Sequence, residues 1–112
     1  MNPKRGQLFL LKPDPDGKER PIVIVSVDVL NGGHKVLAVP FYSQQLDKRK
    51  DQDWCALFSK SEGGLDRDCV AKCDEITLLD KLEINFSRPL GHFNASEMDR
   101  LMDSLKWSLG LD

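Results

Sequence analysis

The chain has little that would staple, anchor or strongly charge it. Of 112 residues only three are cysteine; the odd number argues against a disulfide framework, and no paired C-x-x-C or H-x-x-x-H spacing supports zinc. Cys69 and Cys73 on one extended strand would stand ~13 Å apart at ~3.3 Å per residue, whereas a bridge needs Cα atoms within roughly 7 Å. All three thiols are therefore read as reduced and packed. No apolar run approaches the ~18 residues of a membrane span, and the opening MNPKRGQLF lacks a signal-peptide layout. A soluble cytoplasmic protein with no membrane partner is expected. Internal repeats and low-complexity segments are missing too. Sixteen basic residues against eighteen acidic ones give a formal charge of −2, so no global positive field announces nucleic acid and any polyanion site must be local.

What is present reads as one domain over 1–112, large enough to bury roughly 65% of the surface its unfolded chain exposes. QLFLLK (7–12) ends in the turn-forming PDPDG and is followed by the β-branched RPIVIVSV (20–27), which predicts a hairpin. After NGG (31–33), HKVLAVPF (34–41) is a third strand, with Pro40 confining its end to an edge or a bulge. The almost wholly polar QQLDKRKDQD (44–53) predicts a solvated, mobile loop. WCALFSK (54–60) returns as a strand, LLDKL (78–82) suggests a short helical turn, and RPLGHF (88–93) a last edge strand. The clearest element is C-terminal. Asn94 is a good N-cap with Glu97 three residues on, Met98, Leu101, Met102, Leu105 and Leu109 form an apolar stripe, and Gly110 is placed to end the helix. Short strands followed by one amphipathic helix read as a mainly β fold, a strongly curved antiparallel sheet or small barrel capped by a helix.

CVAKCDEI (69–76) carries the most chemistry. If it is extended, Val70, Lys72 and Asp74 share one side and Cys69, Ala71 and Cys73 the other, which leaves the charged pair in the open and the sulfurs packed. Cys69, Cys73, Ile76 and Leu79 also fall at helical spacing, so the period alone leaves both conformations open.

The order of pieces resembles a known family. RGQLFLL, a short turn, RPIVIVS, a loop, VLAVPFYSQ, a charged loop, GLDRDCVAKCDEI, LLDKL, then N-x-x-E-M opening a helix that ends SLGL is similar to the MazF/PemK toxins of bacterial toxin–antitoxin pairs, which share a fold with the CcdB gyrase poisons. The likeness runs over nearly the whole chain. It implies a small SH3-like β-barrel with a C-terminal helix, a homodimer, a cognate antitoxin protein as partner, and single-stranded RNA as substrate. It also implies a sequence-selective, metal-independent endoribonuclease of messenger RNA needing no cofactor, in which the ribose 2′-oxygen attacks the adjacent phosphorus and leaves a 2′,3′-cyclic phosphate and a 5′-hydroxyl. Such chemistry needs a base, an acid, and a group to stabilise charge on the phosphorane.

By that resemblance Arg20, before Pro21, matches a strand-opening arginine that could hold two phosphate oxygens. Ser43 matches a small hydroxyl able to donate to a non-bridging oxygen. Lys72 and Asp74 match an alternating cation and aspartate, proposed in some members as acid and base; as a bare pair they read equally as an exposed ion pair. Tyr42 stands where many members have threonine and could stack on a base, with Gln44 beside it at the substrate groove. Lys48, Arg49 and Lys50 fall in the loop that overhangs that groove in relatives and could meet phosphates. Gln7 replaces an acid that many relatives carry after the first RG, and PDPDGKE shortens a turn that elsewhere lines the site. A non-enzymatic binder on the same barrel, a gyrase poison or a degenerate toxin engaging only its antitoxin, is the alternative. The compact Trp-Gly-apolar tail of gyrase poisons is matched poorly, since Ser108 and Leu109 separate Trp107 from Gly110.

Overall fold

Alternating apolar side chains with β-branched neighbours dictate the first three strands. The computed structural model describes residues 2–111. In it β1 (Gln7–Leu11) and β2 (Pro21–Ile24) form the hairpin, Leu8 opposite Val23 and Phe9 opposite Ile22. Its turn is closed by Asp14, whose Oδ1 accepts from the backbone N–H of Asp16 and of Lys18 at 2.9 Å each. β3 (Lys35–Tyr42) runs antiparallel to β2. There follow α1 (Leu46–Arg49), β4 (Cys55–Phe58), β5 (Cys69–Lys72), β6 (Thr77–Asp80), β7 (Ile84–His92) and α2 (Ala95–Leu109).

The sheet order is β4-β5-β3-β2-β1-β7, with β6 on the first half of β3. β3 thus serves two ladders on one edge: Lys35 to Ala38 pair with β6, and Phe41 and Tyr42 with β5. Pro40, which has no N–H to give, falls in the interval between them, so a proline is tolerated in a central, buried strand. The sheet does not close into a barrel. Between its end strands β4 and β7 the gap is spanned by a 3₁₀ turn, Glu62–Gly64, packed backbone to backbone on Leu90 and Gly91. A Cβ on Gly64 would overlap the Leu90 carbonyl and one on Gly91 would sit 2.7 Å from the Gly63 oxygen.

Alternate residues feed two cores. Leu8, Val39, Phe41, Phe58, Cys69, Ala71 and Cys73 meet Phe93, Leu101 and Leu105; Phe9, Ile22, Ile24, Val36, Ala38, Leu79 and Ile84 form the other. Phe58 stacks on Phe93 at 4.4 Å between centroids, and Phe41 meets both edge-on. The helix is built as its sequence demands. Asn94 accepts from the Glu97 N–H and Glu97 accepts from the Asn94 N–H, both at 2.8 Å, and Gly110 ends it in the left-handed conformation. Leu109 departs from the expected stripe: it is half exposed, the last turn continuing past the buried residues Leu101 and Leu105.

Several local readings are corrected. The octet 69–76 is pleated only as far as Lys72; Cys73–Glu75 is a 3₁₀ turn. Cys69, Ala71 and Cys73 do point inward, but Val70 is buried as well, because its strand is flanked by β3 and β4 on both sides, opposite Tyr42 and Leu57. Leu78 and Leu79 lie on strand β6, where cross-strand bonds to β3 override a helical tendency, and the 3₁₀ turn begins only at Lys81. The last strand starts at Ile84 rather than residue 88. The polar loop contains the helical turn α1.

Candidate active site

Antiparallel pairing brings the candidate residues together. Ile22 opposes Pro40, so the same count places Arg20 beside Tyr42 just beyond the end of the β2–β3 ladder. Here a groove of about 670 Å³ opens, lined among others by Lys18, Arg20, Tyr42, Ser43, Gln44 and Arg49, with Asp66, Arg67, Arg88 and Leu90 on its far wall.

The cations of this groove differ in what holds them. Arg88 pairs with Glu19 at 3.1 Å and Arg67 with Asp66 at 3.2 Å. Arg20 and Arg49 make no ion pair among the described residues. Arg20 Nη1 donates to the Phe41 carbonyl and Arg49 Nη1 to the Gln44 carbonyl, each at 3.2 Å. Both guanidinium carbons lie over the Tyr42 ring, at 4.0 and 5.0 Å from its centroid. Each guanidinium carries five N–H donors, so most of this capacity is unspent beside the exposed Ser43 hydroxyl. Two guanidinium groups without an ion pair among the described residues, beside a hydroxyl at one groove, have the chemistry to receive an anion.

Lys72 and Asp74 stand behind this wall rather than in it. The Lys72 ammonium is 5.5 Å from the Tyr42 centroid. Its short contact, 2.7 Å, is with Glu75 Oε2, and Asp74 lies farther off at 3.8 Å. Glu75 Oε1 accepts the Tyr42 hydroxyl at 2.5 Å. Hydrogen bonds from Lys72 and from Tyr42 hold the Glu75 carboxyl below its ordinary value. The same bond from the other side, opposed by partial burial, raises Lys72. Burial, then the Glu75 hydrogen bond and charge, raise the Tyr42 phenol, against the pull of Arg20 and Lys72. At neutral pH this is a neutral phenol, a carboxylate and an ammonium. Lys72 is the more enclosed partner, its side chain 16% exposed against 42% for Asp74.

Sequence reasoning missed Glu75. The signal was present as a carboxylate three residues after Lys72, which a strand turns away and a 3₁₀ turn brings back. Tyr42 lies at the groove as expected, but with a guanidinium against its ring. Of the three basic residues of 48–50, only Arg49 folds onto the groove; Lys48 is exposed, and Lys50 lines a smaller depression with Asp103 and Trp107. Gln7 lies outside the groove, its Oε1 accepting from the Lys4 N–H at 2.7 Å, so its departure from an acid alters a turn. Neither His34 nor His92 lines the groove.

A family model described as PemK-like, MazF-like toxin of type II toxin-antitoxin system matches residues 4–109. No curated protein matches. Among solved structures the chain is similar to an endoribonuclease from Mycobacterial species in complex with its cognate antitoxin, at 25% identity over 98% of this chain and 97% of that one, with a TM-score of 0.79. A second endoribonuclease from Mycobacterial species has 25% identity over 99% and 94%, with a TM-score of 0.77. The MazE-MazF structure from Deinococcus radiodurans, at 20% identity over all of both chains and a TM-score of 0.75, shares the fold. Among the described residues no helix is long and apolar enough to cross a membrane.

Proposed function

The chain belongs to the PemK-like, MazF-like toxin family of type II toxin-antitoxin systems, and from that premise we propose that it is an endoribonuclease that cuts single-stranded RNA in the bacterial cytoplasm until a cognate antitoxin covers its groove. The observation that carries the reading is the pair of uncompensated guanidinium groups, Arg20 and Arg49, beside the Ser43 hydroxyl in that groove.

In this reading Arg20 holds the non-bridging oxygens of the scissile phosphate and takes up the charge that grows there as the 2′-oxygen attacks. Ser43 donates to one of those oxygens. Asp74 accepts the 2′-hydroxyl proton or orients the ribose, and Lys72 supplies a proton or positive charge toward the leaving oxygen. Both sit one aromatic ring back, so they act on a substrate that wraps past Tyr42. Arg49 and Gln44 contact the strand at the groove, Lys48 and Lys50 extend the positive surface beyond it, and the phosphate contacts of these three basic residues carry no sequence information. Products are a 2′,3′-cyclic phosphate and a 5′-hydroxyl, and the working form is a homodimer. No metal or cofactor takes part.

The test is incubation of purified protein with varied single-stranded RNAs in EDTA, followed by mapping of the new 5′-ends. Discrete cuts with 5′-hydroxyl ends are expected, reduced on the order of 10²- to 10³-fold by Arg20→Ala. Intact RNA throughout, with Arg20→Ala indistinguishable from wild type in cells, sinks the reading. Ser43→Ala, Lys72→Ala and Asp74→Asn then apportion the roles.

A further inference from the structure

The chain has one tyrosine, Tyr42, and it is held at both ends. Its hydroxyl donates to Glu75, whose other oxygen takes the Lys72 ammonium. Its ring supports the Arg20 guanidinium at 4.0 Å. Besides that ring Arg20 has one hydrogen bond, to the Phe41 carbonyl. A long side chain with a single carbonyl contact needs a second surface to hold its plane, and a ring is such a surface only while it cannot turn. Here the carboxylate fixes the ring.

We propose that Glu75 is a positioning residue for Arg20, acting through Tyr42: it anchors the phenol, and the anchored ring sets the plane of the guanidinium that receives the anion. The proposal rests on the reading of Arg20 as the phosphate-holding group. Two further features fit it. A hydroxyl that donates to a carboxylate leaves more electron density on the phenol, which strengthens the attraction of the ring face for a cation. The Glu75 charge is answered locally by Lys72 at 2.7 Å, so the carboxylate can hold the ring without drawing Arg20 away from the groove. Among the described residues Asp74 makes no hydrogen bond to Tyr42, and its role is separate.

Two readouts test this on Tyr42→Phe, Glu75→Gln, Glu75→Ala and the double variant Tyr42→Phe with Glu75→Ala. The first needs no RNA: the ¹⁵N relaxation of the Arg20 Nε–H group reports how firmly the guanidinium is held. The second is the steady-state cleavage of RNA. Tyr42→Phe and Glu75→Ala are each expected to loosen Arg20 and to lower kcat/KM about tenfold. Glu75→Gln, which keeps an acceptor, retains part of the order. The double variant loses no more than the larger single loss, because both changes cut one bond. Wild-type Arg20 order in Tyr42→Phe, or losses that multiply in the double variant, overturns the proposal. Should the wild-type protein leave RNA intact, the endoribonuclease reading fails by itself, while the relaxation of Arg20 still decides whether Glu75 holds it.

Discussion

Replacing Gly64 by alanine probes how the open sheet is drawn together next to the groove. Gly64 has φ +82°, and a Cβ there would overlap the Leu90 carbonyl oxygen and lie 2.5 Å from its carbonyl carbon. The backbone conformation costs an alanine about 1–2 kcal/mol. Because the neighbour is main chain that cannot rotate away, forcing β7 aside adds about 1–3 kcal/mol. The combined loss, on the order of 2–5 kcal/mol, is a large share of the roughly 5–15 kcal/mol by which a domain of this size is stable. Gly17 supplies the control: its φ is +79° with nothing within 4 Å of a Cβ, so Gly17→Ala pays the conformational cost alone. Urea unfolding followed by tryptophan fluorescence, at one protein concentration, should place Gly64→Ala well below Gly17→Ala with equal slopes. Equal midpoints for the two variants would refute the backbone contact between the turn and β7.

Acid should weaken the protein partly through Glu75. A carboxyl held below its unfolded value contributes stability that is fully present above that value and lost as pH falls through the folded one. With an ordinary value of 4.5, the loss belongs to the range below about pH 4.5. The free energy of unfolding should therefore fall less steeply between pH 5 and 3 in Glu75→Gln than in wild type, and identical pH profiles would count against the Lys72 and Tyr42 bonds. Burial pushes the Cys69 and Cys73 thiols up to about 12, so at pH 8 only about one in ten thousand is thiolate. Iodoacetamide at pH 8 should leave both unmodified in the folded protein and label them in urea; rapid native alkylation, read by mass spectrometry, would show that the strand opens easily.

Much of this architecture was legible because local and global preferences agree. The capping box at Asn94 and Glu97 needs only residues three apart, and the Val- and Ile-rich runs can bury their faces only by pairing. The failures share a cause. Period two puts Val70 on the side of Lys72 and Asp74 but does not say that both sides are covered, which depends on distant strands. Lys72 does meet Asp74, at 3.8 Å, but its shorter contact, with Glu75, is hidden from a pleat carried past Lys72; the turn at Cys73–Glu75 is stabilised where Cys73 seats against α2, its thiol reaching the Leu101 carbonyl, a contact 28 positions away. Leu78 and Leu79 look alike in sequence, yet cross-strand pairing with β3 leaves the first 61% exposed and the second 7%. Arg20 and Ser43 could be matched to a family pattern. That Arg20 has a ring and a carbonyl for company, and no ion pair among the described residues, follows only from the assembled strands.

The shared strand β3 and the residue after it divide one register between core and groove: Phe41 fills the interior, while Tyr42 supports the arginines and Ser43 follows it at the groove. A shift of one position would therefore take Phe41 out of the interior and Tyr42 away from the two guanidinium groups in the same movement. The register that fills the core is thus the same one that assembles the groove, and neither can be lost alone.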